Sequence, residues 1–410
     1  MLLMLFVLMY HFDIKGNTAN RDYSYQISLL VLVIVSGLRF RIGGDTVNYL
    51  YNYHHLIPRL WELSASSFDE IGYEPFFLLF MSSVKSLGVP FFVFQLLHAL
   101  FVNGLIFHYI KRHSSYPFAC VLLYFLWMYP MYNFEEMRAS MSVAICLFAN
   151  DCMVDKKIVK GFFLYAVALL FHYSTAVIVL TPLLLFLRMN LWGLVFLLFS
   201  FYLGYFIQRN FGDYLLFFDF NDMVSEKATN YTESDVYFEQ NISVKEIIIW
   251  KMPYVLFSFI AFWYLRMKKI SDDIQEGSLI RLQPYLLIGL VFVLFSIPMP
   301  ICYRFIRFYI IYFILFFVQF LIGMVRYRSK ISISVALIRS FIFFLPMLHI
   351  ISSIYLDSIY ESTNYSKYFC YEKYYPYSSV IERGINERRE KLYQKLSSVK
   401  FGMTPKEDEF

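Results

Sequence analysis

The sequence predicts an all-α polytopic membrane protein with about 12 transmembrane helices and a re-entrant or short helix at 74–87. Three observations predict it. Only 16% of the 410 residues are charged and 59% are hydrophobic, whereas a soluble domain carries roughly 25% charge. Mean hydropathy is +0.53. Apolar runs of about 15–25 residues recur from end to end between short polar or basic stretches, and a helix satisfies its own backbone hydrogen bonds in lipid.

The runs, in order, are Met1–Phe12, Tyr25–Leu38, Glu74–Leu87, Pro90–Ile110, Tyr116–Tyr132, Met137–Met153 and Val159–Phe171. Then come Thr175–Leu187, Leu191–Ile207, Glu246–Leu265, Leu282–Ile297, Tyr303–Val325 and Ile331–Leu356. The integral-membrane part is thus expected over 1–356, with an outer loop at 209–245 and a polar C-terminal tail at 357–410. Met1–Phe12 has no basic start and no small-residue cleavage site, so it reads as a segment rather than a cleaved leader.

Lysine and arginine set the expected orientation, because cytoplasmic loops carry their excess. Lys111-Arg112, Lys156-Lys157-Lys160, Arg266-Lys268-Lys269 and Arg326-Arg328-Lys330 are expected inside. Alternation then puts Asn133–Arg138, the His172 turn and the Ile297–Tyr303 turn outside. Two full crossings before Lys111 would leave Arg39–Asp45 inside. Glu74–Leu87 has about 14 residues and a Gly88–Pro90 break, short of the ~20 a span needs. A re-entrant 74–87 moves Arg39–Asp45 to the outer face with the other charged motifs.

An ionisable group at membrane depth is expensive and marks a pathway or a site. Arg39, Arg41 and Asp45 end the second run, Arg138 follows Glu135-Glu136, and His172 closes "LYAVALLFHYS". Arg304 and Arg307 stand three apart, on one helix face. Together they compose an anion-binding basin, since the guanidinium fork donates two parallel hydrogen bonds to phosphate. Any one arginine also fits a snorkelling role at the headgroups, and tyrosines such as Tyr49 suit an interface belt. The net charge of +5 is spread over many loops and argues against nucleic acid. Five cysteines, most in or beside apolar runs, imply neither a disulfide framework nor a metal site. Nucleotide-binding, zinc-protease and serine-hydrolase motifs are missing from the sequence.

The stretch "GLRFRIGGDTVNYLYNY" resembles the Gly-Leu-Arg…Gly-x-Asp…Tyr signature of the EpsG family of Wzy-like bacterial polysaccharide polymerases. "YEPFF", "FEEMRASMSVAI", "LLFHYSTAVIVLTPLLL", "RFIRFYIIYF" and "YYPYSSV" resemble its later elements in the same order, from about residue 25 to about 380. Glu135 and Ala139 stand where the family pattern has asparagine and glutamine, so Arg138 alone carries over there. Either Arg304 or Arg307 matches the late arginine.

The resemblance implies polymerisation of undecaprenyl-pyrophosphate-linked oligosaccharide units at the outer face of the bacterial cytoplasmic membrane. It implies no cofactor and no metal. Its partners would be the lipid-linked substrate, the bilayer, and a chain-length regulator and flippase of the same pathway. In this scheme Arg39, Arg41, Arg138, Arg304 and Arg307 clamp pyrophosphate. Asp45 or His172 is the base, Tyr49 and Glu74 orient sugar rings, and Gly43-Gly44 let backbone approach a ligand. A helix N-cap is the structural alternative for Asp45. The competing functions are a ligase-type transferase of lipid-linked glycan and a non-enzymatic flippase. The acidic 209–245 loop weighs against the first, and the lack of an internal repeat against the second.

Overall fold

A computed structural model describes residues 1–209, 251–267, 279–299 and 302–326, with residues 374, 377–382, 387 and 389–390 of the tail. The expected loop at 209–245, beyond its first residue, the run Ile331–Leu356 and most of the tail lie outside the described residues. So do Cys370 and the basic clusters after Met267 and Arg326. Among the described residues the chain is helical, and its one pairing of extended backbone is an isolated antiparallel bridge between Arg39 and Ser379.

The helices are α1 (Leu2–Leu8), α2 (Arg21–Gly37), α3 (Gly44–His55), α4 (Ala65–Ile71), α5 (Pro75–Ser86), α6 (Phe91–His113) and α7 (Pro117–Trp127). They continue as α8 (Met137–Val154), α9 (Ile158–Phe171), α10 (Thr175–Ile178), α11 (Leu191–Arg209), α12 (Met252–Met267) and α13 (Gln283–Phe295). The last are α14 (Tyr303–Ile306) and α15 (Ile310–Arg326). Among the described residues four stretches are long and apolar enough to cross a membrane: Phe91–His113, Met137–Val154, Leu191–Gln208 and Tyr303–Ile322. Over the described residues the fold is helical, and its long apolar helices are those of an integral membrane protein.

Packing sorts the charges to two ends of the bundle. At one end Lys111 pairs with Asp22 at 2.9 Å, and His113 and Tyr109 meet the Asp151 carboxylate at 2.8 and 3.0 Å. Arg281 reaches Asp155 at 2.5 Å. From this end α2 runs antiparallel to α6: the Tyr25 hydroxyl donates to the Phe107 carbonyl, and Gly37 crosses over Leu96. A Cβ on Gly37 would lie 2.3 Å from the Leu96 side chain, so the two helices touch there. α8 and α9 form an antiparallel pair closed at the same end by Asp155–Lys157. Buried amides tie helices across the bundle: Asn103 of α6 donates to Asn133 in the turn before α8, and Asn150 of α8 donates to the Tyr312 hydroxyl of α15, both at 2.8 Å. Interhelical hydrogen bonds of this kind hold helices together where lipid offers no hydrophobic contrast.

At the other end lie Arg39–Asp45, the start of α6, Glu135–Arg138, His172 and the α14 turn. Both ends of α5 stay here, with Glu74 beside Arg138 and His172. Lys85 donates to the His54 and Ile57 carbonyls next to the start of α6. The segment at 74–87 is therefore a short helix of 12 residues that enters and leaves at one end. Elsewhere the apolar runs overstate continuity. Tyr116–Tyr132 breaks after Trp127, and a π-turn at Met131–Glu135 follows Pro130. Thr175–Leu187 divides into α10 and a 3-10 turn at Thr181–Leu184 that includes Pro182. Proline removes a backbone donor and clashes with the preceding turn, which ends regular helix.

Candidate functional site

The backbone after α2 turns sharply, with Arg41 at φ +49° and Gly43 at φ +98°. Gly43 is required on two counts. Its φ is one that L side chains rarely adopt, and a Cβ there would lie 2.3 Å from the Phe134 carbonyl oxygen. The close approach is thus to the protein's own backbone. It seats the first turn of α3 against the π-turn before α8, where the Glu135 carboxylate accepts from the Gly44 and Asp45 amides at 3.1 and 2.9 Å. A carboxylate at a helix N-terminus satisfies donors that have no partner within the helix and meets the positive end of its dipole. Gly43, rather than Asp45, occupies the N-cap position; Asp45 lies in the first turn, exposed.

Arg39 is turned inward. Its side chain is 1% exposed and donates to the Ser36 carbonyl and, at 2.9 Å, to the Thr46 hydroxyl, with the Phe134 ring 5.2 Å away. Thr46 in turn donates to the Phe134 carbonyl. These bonds tie α2, α3 and the π-turn into one unit.

Glu74, the residue before α5, is the junction of a second group. Its carboxylate is 3% exposed and accepts from Arg138 at 2.8 Å through one oxygen. The other oxygen meets His172 Nδ1 at 2.9 Å and the Tyr173 amide at 3.3 Å. Burial works against ionisation of Glu74, but the His172 hydrogen bond and the positive charge of Arg138 outweigh it and bring the carboxyl down to about 2. Arg138 Nε donates to the Tyr49 hydroxyl at 3.2 Å, and its guanidinium lies over the Tyr73 ring at 4.9 Å. Burial raises the Tyr49 phenol above its ordinary range, so it stays neutral and accepts that bond. The side chains of Arg138 and His172 keep 28% and 23% of their surface exposed. Among the described residues no hydrogen bond engages His172 Nε2, the ring nitrogen opposite the one held by Glu74.

Arg307 forms an ion pair with Glu136, and the Tyr132 hydroxyl donates to its carbonyl. It also lies within electrostatic reach of Asp45 and Glu135. Arg304 shares the same turn and is half-buried. Of the two, Arg307 is the one drawn to the α8 entrance. Arg41 sits apart, on the far side of α3, in a two-pronged pair with Glu390 at 2.7 Å for each bond.

All the expected site residues therefore gather at one end, but not as a bare cationic basin. Arg41, Arg138 and Arg307 each face a carboxylate, on Glu390, Glu74 and Glu136. Sequence reasoning missed Glu390, for which the sequence carries no signal, and Tyr73. Tyr73 was legible in "YEPFF", since a ring one residue before a junction carboxylate is well placed to cover that carboxylate's arginine.

A family model for EpsG matches residues 22–379, which takes in every residue of this cluster except Glu390. The chain belongs to the EpsG family. EpsG proteins are Wzy-like polysaccharide polymerases and exopolysaccharide biosynthesis proteins, so this chain is an integral membrane protein of polysaccharide biosynthesis with a glycosyltransferase-like polymerase role. No curated protein and no solved structure matches it. In this EpsG protein the family signature builds a loop, Leu38–Asp45, that is packed from behind by Arg39 and capped by Glu135.

Proposed function

We propose that this EpsG protein polymerises undecaprenyl-pyrophosphate-linked repeat units by glycosyl transfer, with the cluster at Glu74 facing the outside of the cytoplasmic membrane. One observation carries the reading: a single buried carboxylate, Glu74, holds both an arginine and a histidine whose outer edges remain exposed.

His172 is the base. Glu74 on Nδ1 fixes the ring orientation and the tautomer, so Nε2 carries the lone pair that takes the proton from the attacking hydroxyl. The hydroxyl oxygen of the incoming lipid-linked unit bonds to the anomeric carbon of the growing chain. The bond from that carbon to the pyrophosphate oxygen breaks, and the electron pair leaves on the pyrophosphate lipid. Arg138 and Arg307, with Arg304 beside them, meet the charge that develops there. Preorganised cations of this kind stabilise the transition state more than the ground state. Asp45, exposed in the first turn of α3, binds sugar hydroxyls. Tyr49 steadies Arg138, while Arg39, Gly43 and Gly44 hold the loop in shape.

The glycan ladder of a deletion strain tests the class of function. The proposal expects the ladder to disappear while single capped units persist. Loss of all surface repeats would instead mean a flippase, and free lipid-linked polymer a ligase; either result overturns the proposal.

A further inference from the structure

Arg41 is separated from Arg138 by α3 itself. Asp45, Tyr49 and Asn52 line the helix face toward Arg138 and Tyr73. Thr46, Leu50 and His54, spaced four apart on another face, line a cleft of about 90 Å³. Its other walls are Arg39, Phe40, Arg41 and Val380, with Pro90, Phe91, Phe92 and Gln95 at the start of α6. The cleft thus combines a guanidinium, an imidazole and an amide with an apolar, aromatic floor.

What fills the anion position at Arg41 is the carboxylate of Glu390, gripped by Nε and a terminal nitrogen at 2.7 Å each. Upstream of it the chain pairs with the loop. The Phe40 amide donates to Ser378 and the Val380 amide to Leu38, both at 2.9 Å, and the Tyr377 hydroxyl donates to the Val35 carbonyl. Arg389, 2% exposed, brings a second guanidinium beside the Arg41 carbonyl. A planar two-oxygen anion on an arginine fork is also the geometry of a bound phosphate. Glu390 lies past the end of the matched region at residue 379, so a signature arginine is neutralised by a residue the family pattern does not include.

We propose that this cleft is a second anion site, taking the phosphate headgroup and first chain units of a lipid, and that Glu390 occupies Arg41 until that ligand displaces it. The proposal rests on pyrophosphate lipids being the substrates. It gives Arg41 a binding position distinct from the one at Arg138, so two lipid-linked substrates have separate anchors on the two faces of α3. The C-terminal segment then restrains one of the two.

Calorimetry on the full chain in detergent, with inorganic pyrophosphate and farnesyl pyrophosphate as probes, tests this. Glu390→Gln keeps the shape of the side chain and removes its charge; it should tighten both probes by about tenfold, the scale of one charge-assisted pair. Farnesyl pyrophosphate should bind more tightly than inorganic pyrophosphate. Adding Arg41→Gln should abolish the gain, and adding Arg138→Gln should leave it. An unchanged affinity in Glu390→Gln, or a gain that vanishes with Arg138, overturns the site. Equal affinities for the two probes overturn its assignment to a lipid. In the unmodified protein, farnesyl pyrophosphate should speed hydrogen exchange at the Phe40 and Val380 amides. Binding with unchanged protection there overturns the displacement. The gain on Glu390→Gln and its dependence on Arg41 report this cleft, whatever the probes bind at Arg138, so they fail or succeed independently of polymer formation at Glu74.

Discussion

Glu74 concentrates the chemistry of this protein into one side chain, because its two oxygens fix two different groups, a guanidinium and an imidazole. Removing one partner of a buried charge pair costs about 3–5 kcal/mol, since the other charge is left without compensation. Its ionisation also makes stability depend on pH. The folded value, about 2, lies below the ordinary 4.5. A depressed carboxylate contributes fully above the unfolded value and loses that contribution as pH falls through the folded one. The stability difference between wild type and Glu74→Gln, read from thermal melts in detergent, should therefore be constant above pH 5. It should shrink as pH falls from about 4.5 toward 2, with a full size of about 3 kcal/mol. A difference that grows on acidification would contradict the ionised junction. Arg138 and His172 were legible as candidates because a charged or titratable group beside an apolar run stands out. Their shared dependence on Glu74 was not, because Arg138 and His172 lie 64 and 98 positions from it in sequence and meet it only through α5 folding back.

Among the elements, α3 and α5 decide what the site can do. Neither crosses the bundle. α3 begins where Gly43 presses on Phe134 and Glu135 caps the Gly44 and Asp45 amides. Gly43→Ala should cost about 1–3 kcal/mol in backbone strain alone, with the clash against the Phe134 carbonyl added to it. The expected result is a protein that inserts and melts near the wild-type temperature, since the long helices are untouched, but polymerises at least tenfold more slowly. Wild-type polymer length would contradict the seating role of Gly43. The long helices α6, α8 and α9 could be drawn almost to the residue from apolar runs, because lipid imposes one solution on such runs. The breaks at Trp127 and inside Thr175–Leu187 were hidden, since hydropathy does not register a π-turn or a proline-bearing 3-10 turn. α4 carried no apolar run to announce it.

The whole molecule separates its basic inner-type clusters from its site. Lys111, Arg112 and Lys157 lie at one end, and Arg39–Asp45, Arg138, His172 and Arg307 at the other. The proposed orientation puts the second end outside. Asp45→Cys in otherwise cysteine-free protein should react with a membrane-impermeant thiol reagent in cells whose outer leaflet is accessible, whereas Lys157→Cys should react only after permeabilisation. The reverse pattern would place the site in the cytoplasm. The sequence led to this two-ended arrangement only through the suspicion that 74–87 turns back, and the 12-residue α5 supplies the physical reason: about 18 Å of helix is too short for a hydrocarbon core of about 30 Å. The charge balance of the site depends on a distant carboxylate, Glu390, whose pairing with Arg41 spans 349 positions and left no trace in composition or spacing.

The central claim is that Glu74, Arg138 and His172 act together in chain extension. Its most direct measurement is the glycan ladder of a deletion strain complemented with Arg138→Ala, His172→Ala or the double variant, each matched for protein level in the membrane. The account predicts that each single variant reduces polymer beyond the first unit by about 10²-fold or more, and that the double variant is little worse than either. Normal ladder length in both single variants would contradict it.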